Sequence, residues 1–523
     1  MNIGRLGVVV LGAAFIVSCV PIKTTDKQSS TAFDDSSSTR LYRAAQSMAA
    51  GHGGKSGILL LDRGRDALAW RTILADASEQ SIDAQYFLWK DDDVGKILIQ
   101  RLLDAAARGV RVRVLIDDSM TESNPQYLAL FGAYPNVEVR LYKPFGSTHG
   151  SFVLRWLDFA TDFHRLNRRM HNKLFLVDGS FAIIGGRNIG DDYFDYPVPY
   201  VFRDRDLLAL GPVAESAADE FDVYWNSDWA VPIEMTVTPR PSTAAAYAEK
   251  ESLDEFAADP EHYPAGFYGD PSNVDAEIAK LADQLIWGEA RLLFDAVPGP
   301  EGKPQPHPLA GRIDVELRRI VEQSTEELLV ESAYLILADG AFPILDEMGK
   351  RGIKTRFVTN SMASNNHLSA FEGYRKQRKA ILGVTNARMF EIRPDFKSQR
   401  ELFTASELEQ HEMQFGLHAK TSVFDRKFVF VGSFNVDPRS RNLNTEMGLL
   451  VESEELGRLV AESIERDMAA GNSWEVVLTD AGKFRWLTHE NGMVMETLDK
   501  EPMTTAVQRA EARALGIVPA GQL

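Results

Sequence analysis

Cysteine is almost missing from this sequence. Cys19 stands alone, so no internal disulfide can staple the fold. Long apolar runs are also scarce: beyond the N-terminus, no stretch reaches the length needed to span a bilayer. Positive charge is in deficit, with 57 Lys and Arg against 75 Asp and Glu and a formal net charge of −18. That balance excludes the globally basic surface of a typical nucleic-acid binder, and no nucleic-acid partner is expected, although a local basic groove is compatible with it. The 523 residues are too many for one ordinary core and suffice for two or three domains.

The one membrane-like segment is N-terminal. Arg5 precedes an apolar stretch from Leu6 to Val17, then Ser18-Cys19, the layout of a secretory signal peptide over residues 1–18. Small or aliphatic residues before a cysteine resemble a bacterial lipoprotein signal. Cys19 would then be the acylated first residue of the mature chain, and the polar, Ser/Thr-rich residues 19–39 a flexible tether. The resemblance implies a protein of the bacterial cell envelope, facing the periplasm. Val20 after the cysteine favours the outer membrane. An acyl anchor would hold an acidic body near anionic lipid without charge attraction.

Two stretches repeat one pattern. "HNKLFLVDGSFAIIGGRN" runs from His171 to Asn188 and "HAKTSVFDRKFVFVGSFN" from His418 to Asn435, each reading H-x-K, four residues, D, six residues, G-[GS]-x-N. Their surroundings repeat too. "SIDAQYFLW", a helix-like run ending in Gly109 and "VRVRVLID" match "LLVESAYL", a helix-like run ending in Gly352 and "IKTRFVTN". Gln80 and Gln323 share the offset of 243 seen for Gly109 and Gly352, and His171 and His418 are 247 apart, so the chain reads as an internal duplication. Strand–helix–strand with Gly at the helix end predicts an α/β fold, a mixed sheet flanked by helices in each copy. The expected bounds are 40–235 for the first copy, 236–304 for a linker with helices, 305–473 for the second copy and 474–523 for a small β-meander and helix.

The pattern has a chemical logic. His171 and Lys173, two apart on a strand, share a face, as do His418 and Lys420. There Lys can neutralise a phosphate oxygen while imidazole attacks phosphorus or protonates an oxygen. Displacement at a phosphodiester needs a nucleophile and an acid, and duplication supplies both if the copies face each other across a pseudo-twofold axis. An imidazole pKa of about 6.5 suits such a group. Asn188 and Asn435 would bracket the phosphate oxygens, with Gly185-Gly186 and Gly432-Ser433 allowing backbone or hydroxyl to approach. Each His needs an orienting carboxylate. Asp206 is expected to serve His171, and Glu446 to serve His418. Asp178 and Asp425 complete the motifs but lie toward turns and are expected to bond backbone. Lys is not a usual metal ligand and no H-x-x-H accompanies the pair, so a metal site is not expected. Two copies in register argue against coincidence.

The doubled motif resembles the phospholipase D superfamily, over roughly residues 40–500. "SIDAQYFLW", "RGVRVRVLIDD", "RRMHNKLFLVD", "GGRNIGDDYF" and "FRDRDLLALGP" resemble bacterial cardiolipin synthases, more closely the exported group than the type with two N-terminal membrane helices. The resemblance implies phospholipid substrates and a covalent phosphohistidine formed without a cofactor, with His171 attacking and His418 acting as acid and then base. With water as acceptor the product would be that of a phospholipase D; with phosphatidylglycerol it would be cardiolipin. An exported nuclease and an inactive scaffold are the competing readings, and the residues name no partner protein. "SFVLRWLDFATDF" places Phe152, Trp156, Phe159 and Phe163 on one helical face, either a lip for acyl chains or an ordinary packed helix. Arg168 and Arg169 sit where a headgroup phosphate could be received.

Overall fold

The computed structural model describes residues 27–32, 36–118, 125–145, 162–237, 239–299, 307, 310–490 and 493–515. Cys19, its signal-like flank, Phe152, Trp156 and Phe159 lie outside them. No helix among the described residues is long and apolar enough to cross a membrane.

Among the described residues, nine strands build the first half: β1 (Ser56–Leu61), β2 (Ser81–Tyr86), β3 (Arg111–Asp117), β4 (Val137–Tyr142), β5 (Leu174–Val177), β6 (Phe181–Gly185), β7 (Tyr200–Arg203), β8 (Asp206–Leu210) and β9 (Ala230–Pro232). β10 (Ile286–Phe294) lies in the expected linker. The second half holds β11 (Glu327–Ser332), β12 (Lys354–Asn360), β13 (Ala387–Ile392), β14 (Gln414–Leu417), β15 (Lys420–Phe424), β16 (Phe428–Gly432) and β17 (Met447–Glu452). β18 (Ser473–Leu478), β19 (Phe484–Glu490) and β20 (Met493–Leu498) form the C-terminal meander, and a helix, Ala506–Leu515, follows.

The two halves repeat one order. In the first, β4, β3 and β2 are parallel, and β5, β6, β8 and β1 continue antiparallel from β2. In the second, β13, β12 and β11 are parallel, followed antiparallel by β15, β16, β17 and β10. The parallel strands are joined through helices Asp93–Ala107 and Ala341–Lys350, each followed by a turn in which a glycine, Gly109 (φ 97°) or Gly352 (φ 92°), takes the left-handed conformation. Asp92 caps the first helix by accepting from the Gly95 amide.

The linker region corrects the expectation of helices alone. It holds helices Thr243–Ala257 and Val274–Leu281, but also β10. Ile286–Gly288 pair with β1, and Glu289–Phe294 pair with β17, so one strand joins both sheets into a continuous one. Glu289 and Arg291 are exposed while Ile286, Gly288 and Phe294 are buried, an alternation that hid the strand inside a largely polar segment.

The tether needs a second correction. Lys27 to Ala32 are strapped to the first half rather than loose. The Ser30 carbonyl accepts from Arg113 (3.0 Å) and Asn226 (2.9 Å), the Ser30 hydroxyl accepts from Trp225 (2.9 Å), and the Ala32 amide donates to Asp222 (2.7 Å). The buried Arg113 and Arg140 guanidiniums supply much of this hold, and neither charge was readable as a docking site from a Ser/Thr-rich sequence.

A buried polar seam lies between the halves. Arg205 pairs with Glu331, with Asp62 (2.8 Å) and with Asp467 (3.2 Å), while Arg203 pairs with Asp62 (2.7 Å) and Asp467 (3.0 Å). Apolar residues of both halves, such as Leu174, Ile184, Leu207, Val423, Val431 and Met447, fill the core around it.

Candidate active site

His171 enters just before β5 and His418 just before β15. Each is fixed by the opposite half. The His171 amide donates to the Thr445 carbonyl (2.8 Å), and the Thr445 amide donates to Arg169 (2.9 Å). Symmetrically, the His418 amide donates to the Arg203 carbonyl (2.8 Å), at the end of a parallel pairing between β7 and β14.

These crossings exchange the expected orienters. His171 Nδ1 lies 2.7 Å from Glu446 Oε2, and His418 Nδ1 lies 2.6 Å from Asp204 Oδ2. Asp206 orients neither imidazole. It is buried in ion pairs with Arg71 (2.9 Å) and Arg187 (3.4 Å). The register shows why. Gly185 faces Asp206 across the sheet as Gly432 faces Gly448, so Asp204, not Asp206, is the counterpart of Glu446. Residues two apart share a strand face, so the pattern D-R-D offered two equivalent choices. Matching "DRDLL" to "EMGLL" selects Asp204 from sequence alone.

A carboxylate on Nδ1 keeps the proton there and leaves the Nε2 lone pair for chemistry. The lysines stand beside the imidazoles. Lys173 Nζ donates to the His171 carbonyl (2.7 Å), and Lys420 Nζ donates to the His418 carbonyl. Rings wall the site. Phe87 meets His171 edge-on at 5.1 Å and lies under Lys173 (5.4 Å); Tyr193 and Phe202 pack on His418 at 5.0 and 4.9 Å. These rings and Thr445 were not singled out from sequence, because no short motif marks them.

Electrostatics tie the four groups into one site. Burial, then Lys173 and Lys420, pushes His171 well below its ordinary value. Burial and Lys420 bring His418 down to about 3. Burial lowers Lys173 to about 7 and Lys420 to about 8. The carboxylates differ. Burial lifts Glu446 to about 7, whereas for Asp204 the nearby His418 and Lys420 overcome burial and hold it well below the usual range. Such a crowd of desolvated cationic groups is prepared for an anion between them.

Gly186 and Ser433, expected to touch phosphate, instead support the carboxylates. A Cβ at Gly186 would overlap Asp204, so glycine makes room for that side chain. Ser433 donates its hydroxyl to Glu446 (2.5 Å) and accepts from the Met447 amide (3.0 Å). Asn188 donates to the Tyr193 hydroxyl (3.0 Å), and the Oδ1 atoms of Asn188 and Asn435 are buried with no hydrogen-bond partner among the described residues. The two amides stand seventeen residues past their motif His, and their unpaired oxygens accept only, so a substrate hydroxyl rather than a phosphate oxygen would satisfy them.

Asp178 and Asp425 are not at the site. They sit at the far ends of β5 and β15 with φ of 48° and 51°. Asp178 accepts from the Gln80 and Ser81 amides (2.8 and 2.9 Å), and Asp425 from Thr325, Glu326 and Glu327 (2.8, 2.8 and 3.0 Å). Each therefore pins a hairpin to the start of the neighbouring strand. This also corrects the repeat alignment: Gln80 corresponds to Glu326, not Gln323, which lies in the helix Ile313–Gln323. Arg168 and Arg169 are engaged near the site, Arg168 with the Asn442 carbonyl (3.3 Å) and Arg169 with the Lys143 carbonyl (3.1 Å).

With this geometry in place, comparison with known proteins is informative. Residues 72–225 and 317–468 match the family described as "Cardiolipin synthase, PLD-like domain", one match per half. Cardiolipin synthase C of Escherichia coli is 35% identical over 92% of this chain and 98% of its own length. An uncharacterized protein of Helicobacter pylori (strain 26695) is 30% identical over 81% of each chain. Among solved structures, phosphatidylserine synthase of Haemophilus influenzae superposes with a TM-score of 0.55 at 13% identity, covering 92% of this chain and all of that one, a likeness of fold.

Proposed function

Because the chain belongs to the phospholipase D superfamily, in its cardiolipin synthase-like branch, we propose that this phosphatidyltransferase makes cardiolipin. It would join phosphatidylglycerol to the phosphatidyl group of a second phospholipid. His171 Nε2 attacks phosphorus, a P–N bond forms, and the P–O bond to the leaving headgroup alcohol breaks. His418 gives that alcohol its proton. The acceptor hydroxyl then returns a proton to His418 and displaces His171 from phosphorus. Lys173 and Lys420 hold the non-bridging oxygens, joined by the Nδ2 donors of the two Asn side chains.

The observation that carries this reading is the crossed clamp of each Nδ1 by a carboxylate of the other half. The difference between the two carboxylates supports giving the nucleophile's role to His171 and the acid's role to His418. Asp204 stays ionised and stabilises an imidazolium at His418, the state an acid needs. Glu446, raised to about 7, holds less charge beside His171, which suits a neutral nucleophile. An incoming phosphodiester anion offsets the lysine repulsion and lifts His418 toward protonation.

The test is mass spectrometry of lipids after supplying phosphatidylglycerol with and without phosphatidylethanolamine. Cardiolipin that disappears with His171→Ala supports the proposal. Phosphatidic acid as the sole product assigns hydrolysis instead, and DNA cleavage without lipid turnover sinks the lipid reading. We further propose that Cys19 carries an acyl anchor on the periplasmic side of the envelope, in the outer membrane. Residues 27–32 bond to the first half, so Cys19 stands eight positions before the strapped segment. Palmitate labelling that is lost with Cys19→Ala, and membrane fractionation, test this.

A further inference from the structure

The two halves are near equals where they meet phosphate, but not beyond it. On β15, Lys420, Ser422 and Phe424 share one face. Past Lys420 that face opens on a cavity of about 320 Å³. Its wall continues along β11, where Val330 and Leu328 pair with Ser422 and Phe424. The helix Ala341–Lys350 closes it through Ile344, and Phe434 and Val436, which flank the site residue Asn435, complete it. Arg318, exposed to solvent, marks its open end.

Among the described residues, the matching face of the first half is filled. There Lys173 is followed by Phe175 and Val177, paired with Ala84 and Ile82, and all four are fully buried in a core that includes Trp70 and Trp89. Where the second half has Phe434, the first has Arg187, bonded to the carbonyls of Leu61 (3.0 Å), Tyr193 (3.1 Å) and Asp204 (2.6 Å). Among the described residues this face is filled in the first half, and in the second it offers an apolar slot that begins at Ser422, the next residue after Lys420 on the same strand face.

We propose that this slot takes one long acyl chain of a phospholipid whose phosphate lies at Lys420. The inference rests on the phosphatidyl-transfer reading and adds to it that the lipid is partly drawn out of its bilayer, with the chain gripped by the second half alone. A largely apolar pocket of this size, joined to a few polar groups at one end, has the form of a site for an amphiphile.

The test uses the full-length protein and phosphatidylglycerol with a photoactivatable group near the end of one hexadecanoyl chain. Label is expected on peptides holding Ile344 and Val436. Ser422→Phe installs the residue found in the first half, and Ala341→Trp fills the slot from a half-buried position. Each should cut labelling about tenfold and lower the preference for long-chain over dihexanoyl substrate by a similar factor. Label scattered over other surfaces, or unchanged by both substitutions, overturns the proposal. If either variant fails to fold, the label map of the unaltered protein decides. Labelling needs no turnover, so slot labelling without transfer to any acceptor sinks the reaction and supports the slot. Transfer without slot labelling does the reverse.

Discussion

His171 Nδ1 lies 2.7 Å from Glu446 Oε2, although 275 positions separate them in the chain. The reciprocal contact joins His418 to Asp204 at 2.6 Å. Each half therefore supplies the imidazole for one side of the site and the carboxylate for the other.

The carboxylates are separable by mutation. Asp204→Asn removes the ionised partner of His418 and is expected to lower transfer by about a thousandfold or more, by analogy with other His–Asp pairs. Asp206→Asn breaks a buried pair with Arg71 instead. It should cost roughly 3–5 kcal/mol of stability and leave the pH profile of the surviving activity unchanged. Transfer kinetics and denaturant midpoints on both variants check this; equal pH-profile changes would contradict the exchange of partners.

His418 makes stability depend on pH. Its folded value, about 3, lies below the ordinary 6.5, so between these limits the unfolded chain binds more protons than the folded one. Stability then rises with pH from about 3 to 6.5, and acid costs the fold on the order of 5 kcal/mol from this group. Denaturant midpoints at pH 4.5 and 7 should differ less in His418→Gln than in the unaltered protein. An identical difference would contradict the burial of a neutral imidazole.

Gly186 and Ser433 occupy the same place in the two motifs but should not be interchangeable. Gly186→Ser forces Asp204 aside and is expected to reduce transfer by about a hundredfold or more. Ser433→Gly removes one hydrogen bond to Glu446 and should cost about tenfold. Steady-state kinetics of the pair tests the order.

The polar seam should be costly to break from one side. Arg205→Met strands Glu331 in the interior, leaves Asp467 to Arg203 alone, and is expected to destabilise the protein by roughly 3–5 kcal/mol. Replacing Arg205, Glu331 and Asp467 together with apolar residues should recover much of that loss in a denaturant titration.

The sequence was most readable where chemistry and repetition coincided. His171, Lys173, His418 and Lys420 were found because two copies of a rare spacing recur, and the α/β halves because glycine ends each crossover helix. The choice between Asp204 and Asp206 was legible only by matching "DRDLL" to "EMGLL" across the repeat, since a period of two cannot resolve it. Two things were not legible. β10 is a strand shared by both sheets, and its half-exposed alternation looks like a polar linker. The strapping of Lys27–Ala32 depends on Arg113 and Arg140, whose burial follows only from the tertiary fold.

The most direct measurement uses His418→Ala protein and a phospholipid donor labelled in its phosphate. With the acid and base removed at His418, cleavage of the P–N bond is slowed, and the phosphatidyl group is expected to remain on His171, located by mass spectrometry of the peptide carrying it. Label on any other residue, or continued transfer by His171→Ala protein, would contradict one shared site flanked by the two imidazoles.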